Sequence, residues 1–192
     1  FHHKIYPNVR IDESRDAADG SEVLIAHCDE RTTLVCGGPL KNVAKAIRTG
    51  RFRLGRLVAQ GGFAGDNIVP PEKRLQKFQG RITCPTFNLG ADINAAQVVL
   101  SSPSINEKYF VSKNVCHGVI YDRHLHAQLE PIHRRSQSLE EIYRMMSIYL
   151  GNQRKQGKAF HDPLAACCAI DRSIGQWVDV ELYVDQRTKE WG

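Results

Sequence analysis

Two short β-type runs in this chain each stop at a pair of glycines, and that repetition constrains the fold more than any other feature. Residues 32–36 (Thr-Thr-Leu-Val-Cys) run into Gly37-Gly38-Pro39, and residues 57–60 run into Gly61-Gly62. After the first stop, Leu40, Val43, Ala44 and Ile47 recur at helical spacing, and Gly50 closes that helix. A third strand is expected at 109–116, ending in Asn114-Val115-Cys116-His117-Gly118. Val178, Val180, Leu182 and Val184 alternate with polar residues as a half-buried edge strand does. Helices fall between these runs. Asp92 suits the N-cap of one through Ala95, Ala96, Val99 and Leu100. Ser138-x-x-Glu141 reads as a capping box ahead of the stripe Leu139, Ile142, Tyr143, Met146, Tyr149 and Leu150. Asp162 caps another helix, with Pro163 in its first turn. Residues 22–26 read as a strand or a short helix, 1–20 and 63–87 as loops, and 72–77 as a helical turn. Such strand–helix alternation predicts an α/β fold with an open, mostly parallel sheet covered by helices on both faces. One domain over 1–192 is expected, incomplete at its N-terminus and least defined over 1–31.

Composition removes the alternatives. An apolar share of 42% with 24% charged residues supports a packed core, which excludes wholesale disorder and a coiled coil. The net charge of +5 permits an anionic ligand but does not demand nucleic acid. The basic run Lys45, Arg48, Arg51, Arg53 and Arg56 has only Phe52 for stacking, so it reads as a solvated helix end. No apolar run reaches the length of a membrane span. Six cysteines occur without a C-x-x-C spacing, and the adjacent Cys167 and Cys168 suit neither a disulfide nor zinc. They read as small buried hydrophobes in a reducing compartment, the cytoplasm. His124, His126 and His133 lack the register of a zinc pair and read as surface residues in a polar loop.

Open α/β sheets bind ligands at the carboxyl ends of their strands, where loops enter helices. Residues 37–42, 61–67, 114–117 and 161–163 occupy such places, and Gly, Asn, Asp and His gather there. The Gly37-Gly38-Pro39 corner reads either as a tight turn or as a close approach of backbone to a ligand, its carbonyl able to ligate a hard cation. Asp162 can cap its own helix or ligate a divalent cation, and His161 before it can serve as a general acid or sit in the loop as a packed residue. Asn67 and Asn88 suit sugar hydroxyls, because an amide offers donors and an acceptor, and equally suit Asx turns.

Taken in order, the motifs resemble the inosine–uridine-preferring nucleoside hydrolases. They are Thr33-Leu-Val-Cys-Gly-Gly-Pro-Leu-Lys-Asn-Val-Ala44, Gly61-Gly62 with a Gly-Asp-Asn loop, Thr86-Phe-Asn88 before an Ala-Ala helix, Asn114-Val-Cys-His117, and His161-Asp-Pro-Leu-Ala165. The resemblance runs from about Thr33 to the C-terminus. It implies an open α/β fold, a Ca²⁺ cofactor, and hydrolysis of the N-glycosidic bond of purine or pyrimidine ribonucleosides to base and ribose. Carried over by motif, the Gly37 carbonyl and the Asp162 carboxylate become calcium ligands, and His161 becomes the acid that helps the base depart. Asn88 and Asn67 become ribose-hydroxyl partners. The family's opening Asp-rich motif has no counterpart here, since Asp12, Asp16 and Asp19 follow no apolar strand. Thr86 stands where the family places Glu, and the spacer between Asn67 and Asn88 is longer than the family's. The chain alone is therefore expected to be weak or inactive as a hydrolase. A non-catalytic nucleoside- or ribose-binding regulator is the alternative, as is one chain of a two-chain enzyme. The expected partner is a small ribonucleoside, with no membrane and no nucleic acid. A homo-oligomer or a complementing N-terminal chain completes the assemblies this reading allows.

Overall fold

The computed structural model describes residues 8–10, 12, 14 and 16–192. Ala18–Val119 and Phe160–Gly192 form one compact unit, and Ile120–Ala159 belongs to a second. Much of the loop expected over 1–20 lies outside the described residues.

The first unit is built on three parallel strands in the order β1 (Thr33–Cys36), β2 (Leu54–Gln60) and β3 (Ile105–Val111). Val35 faces Val58 across one ladder, and Val58 faces Tyr109 across the next. The central strand alternates, as a strand buried on both faces must. Leu57 and Ala59 join a core with Leu40, the N-cap residue of helix α2 (Lys41–Arg48), with Val43, Ala44 and Ala46 of that helix, and with Ala95, Ala96 and Val99 of α4 (Ile93–Ser101). Val58 turns the other way, onto Val111, Cys116, and Ala165 and Cys168 of α8 (Asp162–Ile170). The sheet is thus covered on both faces, the architecture expected from the glycine-stopped runs. Gly55 sits where a Cβ would lie 2.2 Å from the Glu30 carbonyl oxygen, so only glycine lets β2 pass that backbone.

Caps locate the helices. The Asp19 carboxylate accepts from Ser21 N–H (2.9 Å) and starts α1 (Gly20–His27), which settles residues 22–26 as helix. Asp92 does the same for α4, accepting from Ala95 N–H at 2.9 Å. A single turn, α3 (Phe87–Gly90), precedes α4, and two 3₁₀ turns at Pro71–Lys73 and Gln76–Phe78 occupy the segment expected to hold one helical turn.

Several expectations are corrected. The third strand starts earlier and stops at Val111; Lys113–Gly118 is helix α5, with Ser112 at its N-cap position. Asp162 does not cap α8. His161 holds the N-cap position and Asp162 is the first helical residue, so its carboxylate is not spent on its own helix. No strand forms over 178–184, because the alternating residues find no ladder. Only Val184 makes an isolated bridge, to Trp191, whose other bridge is to Cys84. Three cysteines (Cys84, Cys116, Cys168) are buried as expected and Cys167 is exposed; all are free.

In the second unit β4 (Ile120–Asp122) pairs antiparallel with β5 (Gly157–Ala159). Asp122 caps α6 (Arg123–Leu129), accepting from Leu125 N–H at 2.9 Å, so His124 and His126 lie on a helix and not in a loop. The long helix α7 (Gln137–Gly151) is capped two residues before the expected Ser138, with Ser136 Oγ accepting from Leu139 N–H. His126 is not a bare surface residue either. Its ring stacks on Tyr143 (4.1 Å between centroids) and exchanges hydrogen bonds with Tyr121 Oη and Ser147 Oγ, while His133 also stacks on Tyr143, at 4.2 Å.

Candidate active site

The carboxyl ends of β1, β2 and β3 lead into Gly37, Gly61 and Ser112, and the candidate residues gather at that edge. Gly37 and Asp162 are apposed: a Cβ on Gly37 would lie 2.8 Å from Asp162 Cγ. The close approach explains glycine at this position, since any side chain here would displace the carboxylate. Asp162 is exposed, and its charge is felt by Cys36 at the end of β1 and by Cys116 of α5.

Asn88 is buried beside the end of β2. Its Nδ2 donates to the Gln60 carbonyl (2.9 Å) and to Gln60 Oε1 (3.0 Å). A carbonyl only accepts, which fixes the amide orientation and leaves Oδ1 as the group available to a ligand hydroxyl. Gln60 Nε2 in turn donates to Cys116 Sγ (3.7 Å), and the Cys116 thiol reaches the Val111 and His161 carbonyls (3.7 and 3.8 Å). Asn88, Gln60, Cys116 and His161 are therefore linked through polar contacts across the strand ends. Burial first, then the Asp162 charge, pushes the Cys116 thiol up to about 11, so it stays protonated and serves as a weak donor. A maleimide at neutral pH should accordingly label exposed Cys167 first and leave Cys116 unmodified until the chain unfolds, as mass spectrometry of a labelling time course would read.

Asn67 does not join this group. It is exposed on a turn whose neighbour Asp66 accepts from Gly80 N–H (2.7 Å) and pairs with Arg74 (3.5 Å). Two residues missing from the candidate set do join it. Gln60 holds the Asn88 amide, and the His117 ring meets His161 edge to face, with centroids 4.8 Å apart at 84°. Position at a strand end was the available signal for both; the fold supplies the neighbours that give it meaning. Burial, then Lys77, His161 and Lys113, pull His117 down to about 4, so it is neutral at physiological pH.

The donors for a hard cation are few. Asp162 offers one carboxylate and Gly37 one carbonyl, and no group of three or more His, Cys, Asp or Glu able to hold a metal forms among the described residues. Asp19 is committed elsewhere: Lys45 (2.6 Å) and Ser21 hold its carboxyl well below the usual carboxylate range. Asp12 pairs with Arg10 at 2.9 Å. The described residues do not make up a calcium site. Of the basic run, Lys45, Arg51 and Arg56 each pair with a carboxylate (Asp19, Glu22 and Glu107), so it presents no continuous cationic face.

A parallel α/β sheet with amide, imidazole and carboxylate groups at its carboxyl edge has the layout of the open α/β class, in which ligands sit beyond the strand ends. The chain belongs to the inosine–uridine preferring nucleoside hydrolase family, whose profile matches residues 5–191. In fold it is similar to a plant nucleoside hydrolase, with a TM-score of 0.64 at 19% identity over 94% of this chain and 55% of that one. It is also similar to the purine-preferring ribonucleoside hydrolase from Gardnerella vaginalis, with a TM-score of 0.63 at 17% identity over 96% of this chain and 59% of that one. The chain spans a little over half the length of these two structures. No curated protein matches it in sequence. No helix among the described residues is long and apolar enough to cross a membrane.

Proposed function

We propose that this chain is a nucleoside-hydrolase-like protein of the N-ribosyl hydrolase type, bearing the leaving-base and ribose-facing edge of such a site on one domain that takes in both units. The apposition of Asp162 with Gly37, next in sequence to a His161 whose backbone carbonyl is linked to Asn88 through Cys116 and Gln60, is the observation that carries the reading. His161 is the group that donates a proton to the departing base, since an anionic base leaves slowly without one. The free Oδ1 of Asn88 accepts from a ribose hydroxyl, and exposed Asn67 is a second amide for the sugar hydroxyls. Asp162 and the Gly37 carbonyl are the two ligands available to a family calcium ion, in a chain that we place in the cytoplasm on its unpaired cysteines.

Calcium takes about six to eight oxygens, and tight sites are rich in carboxylates. Two donors hold the ion weakly, so micromolar Ca²⁺ should leave the melting temperature of the purified chain unchanged. A rise of several degrees would reveal a carboxylate cluster beyond Asp162. The same shortage favours a second reading, in which the chain binds nucleosides or awaits a complementing chain and turns over little by itself.

Ribose release from inosine and uridine, with and without millimolar Ca²⁺, tests the proposal. Slow release above the enzyme-free rate, reduced in Asp162→Ala and His161→Ala, supports the hydrolase. Inosine binding that shifts the Asn88 side-chain amide resonances without ribose release supports the binding reading. Neither release nor binding would overturn both.

A further inference from the structure

We propose that Lys77 and His117 form a positioning pair that fixes the His161 imidazole at the carboxyl edge of the sheet. The proposal rests on the reading of His161 as the acid, and it assigns a task to the long segment between β2 and α3. That segment is closed upon itself. Asp66 N–H donates to the Arg81 carbonyl (2.9 Å), Gly80 N–H donates to Asp66 Oδ2 (2.7 Å), and Arg74 donates to the Asp66 and Val69 carbonyls (2.6 and 2.8 Å). Its start is tied to α5, where Asn114 Oδ1 accepts from Ala64 N–H (3.2 Å) and Lys113 N–H donates to the Gly62 carbonyl (3.0 Å).

From this braced loop Lys77 Nζ reaches His117 Nδ1 at 2.5 Å, and the Phe78 ring meets the His117 ring edge to face at 5.4 Å. Phe78 rests in turn on Phe63, at 5.3 Å. An ammonium group only donates, so Nδ1 accepts and the remaining ring proton sits on Nε2. His117 is then held on two sides, by a hydrogen bond and by an aromatic edge, and presents a fixed ring to His161 at 4.8 Å. An imidazole that must deliver a proton along one direction gains from such a neighbour, because its two side-chain torsions are otherwise free to sample wrong orientations. The downward pull on His117 from burial, Lys77, His161 and Lys113 keeps it uncharged and thus compatible with a second imidazole at this distance. Lys77 is exposed, so replacing it does not threaten the fold.

The test is proton NMR of the intact chain, with Lys77→Met and Lys77→Arg. In the unaltered protein the imidazole protons of His117 and His161 should share a nuclear Overhauser cross-peak. In Lys77→Met that cross-peak should fall to the noise and the His117 pKa should move upward from about 4; Lys77→Arg, which keeps a donor, should retain the cross-peak. A cross-peak of undiminished intensity in Lys77→Met overturns the proposal, whatever the pKa does. The readout is independent of turnover. Loss of the cross-peak in a chain that neither binds inosine nor releases ribose leaves the positioning pair standing and removes the hydrolase reading. An unchanged cross-peak in a chain that does release ribose does the reverse.

Discussion

Replacing His161 with alanine should bring the slow release of ribose from inosine down to the enzyme-free rate, because general acid catalysis contributes about 10²- to 10⁴-fold. On the proposed roles KM should change little, because an imidazole that assists the leaving base is separate from an Asn88 that meets the sugar. The loss should shrink on a riboside with a good leaving group such as 4-nitrophenol, which departs without a proton. Asp162→Ala should differ in kind. Its carboxylate faces Gly37, not its own helix, so its removal should weaken binding of metal and ribose together. Steady-state kinetics of the two variants on both substrates, referred to the unaltered chain in the same assay, separate these outcomes. Equal, mild losses on both substrates would assign both residues to the start of α8 and to nothing more.

The largest expected loss of stability comes from Leu57→Ala, at about 2–5 kcal/mol. Leu57 is fully buried in the middle of the central strand, between α2 and α4. Neighbouring strands fix the backbone on both sides, so the vacated volume cannot collapse, and the cost includes a cavity as well as lost transfer energy. Against a total of about 5–15 kcal/mol for a typical domain, such a change removes much of the margin. Urea unfolding followed by circular dichroism should show the midpoint falling at constant slope. Ile170→Ala is the matching control. That residue is 89% exposed at the end of α8, and its truncation should stay within about 0.5 kcal/mol.

What could be read without coordinates divides along a physical line. β1, β2 and α2 were visible because glycine pairs punctuate them and their apolar residues follow one period. α6 was not, because Arg123–Leu129 has two polar or charged residues for each leucine and its only announcement is the Asp122 cap. The alternation from Val178 to Val184 looked like a strand, but alternation records a half-buried surface and not a partner; here the segment has one bridge and no ladder. The third strand was shifted because Val115 and Cys116 continue its apolar look while Ser112 turns the chain into a helix. Among the candidate site residues, Gly37, His161 and Asp162 are within reach since each sits where a strand gives way to a helix, and Asn88 lies in the single turn α3 ahead of the Ala-Ala helix. Gln60 and His117 were not singled out, because their importance lies in contacts with Asn88 and Lys77, 28 and 40 residues away in the chain. Asn67 was singled out on its residue type alone, and the fold leaves it exposed on a turn outside the group.

The two tryptophans lie on opposite sides of the sheet. Trp191 is 1% exposed within the core that holds α2 and α4, and Trp177 packs on Tyr109 and on the cluster beneath α8. Each face of the fold therefore carries its own intrinsic fluorophore. Emission from Trp191 should be blue-shifted and screened from iodide, while the half-buried Trp177, whose Nε1 donates to the Arg172 carbonyl, should be quenched more readily. Single Trp→Phe variants would turn one optical spectrum into two local reporters, showing whether the layer bearing α8, with His161 at its head, loosens before the opposite layer gives way.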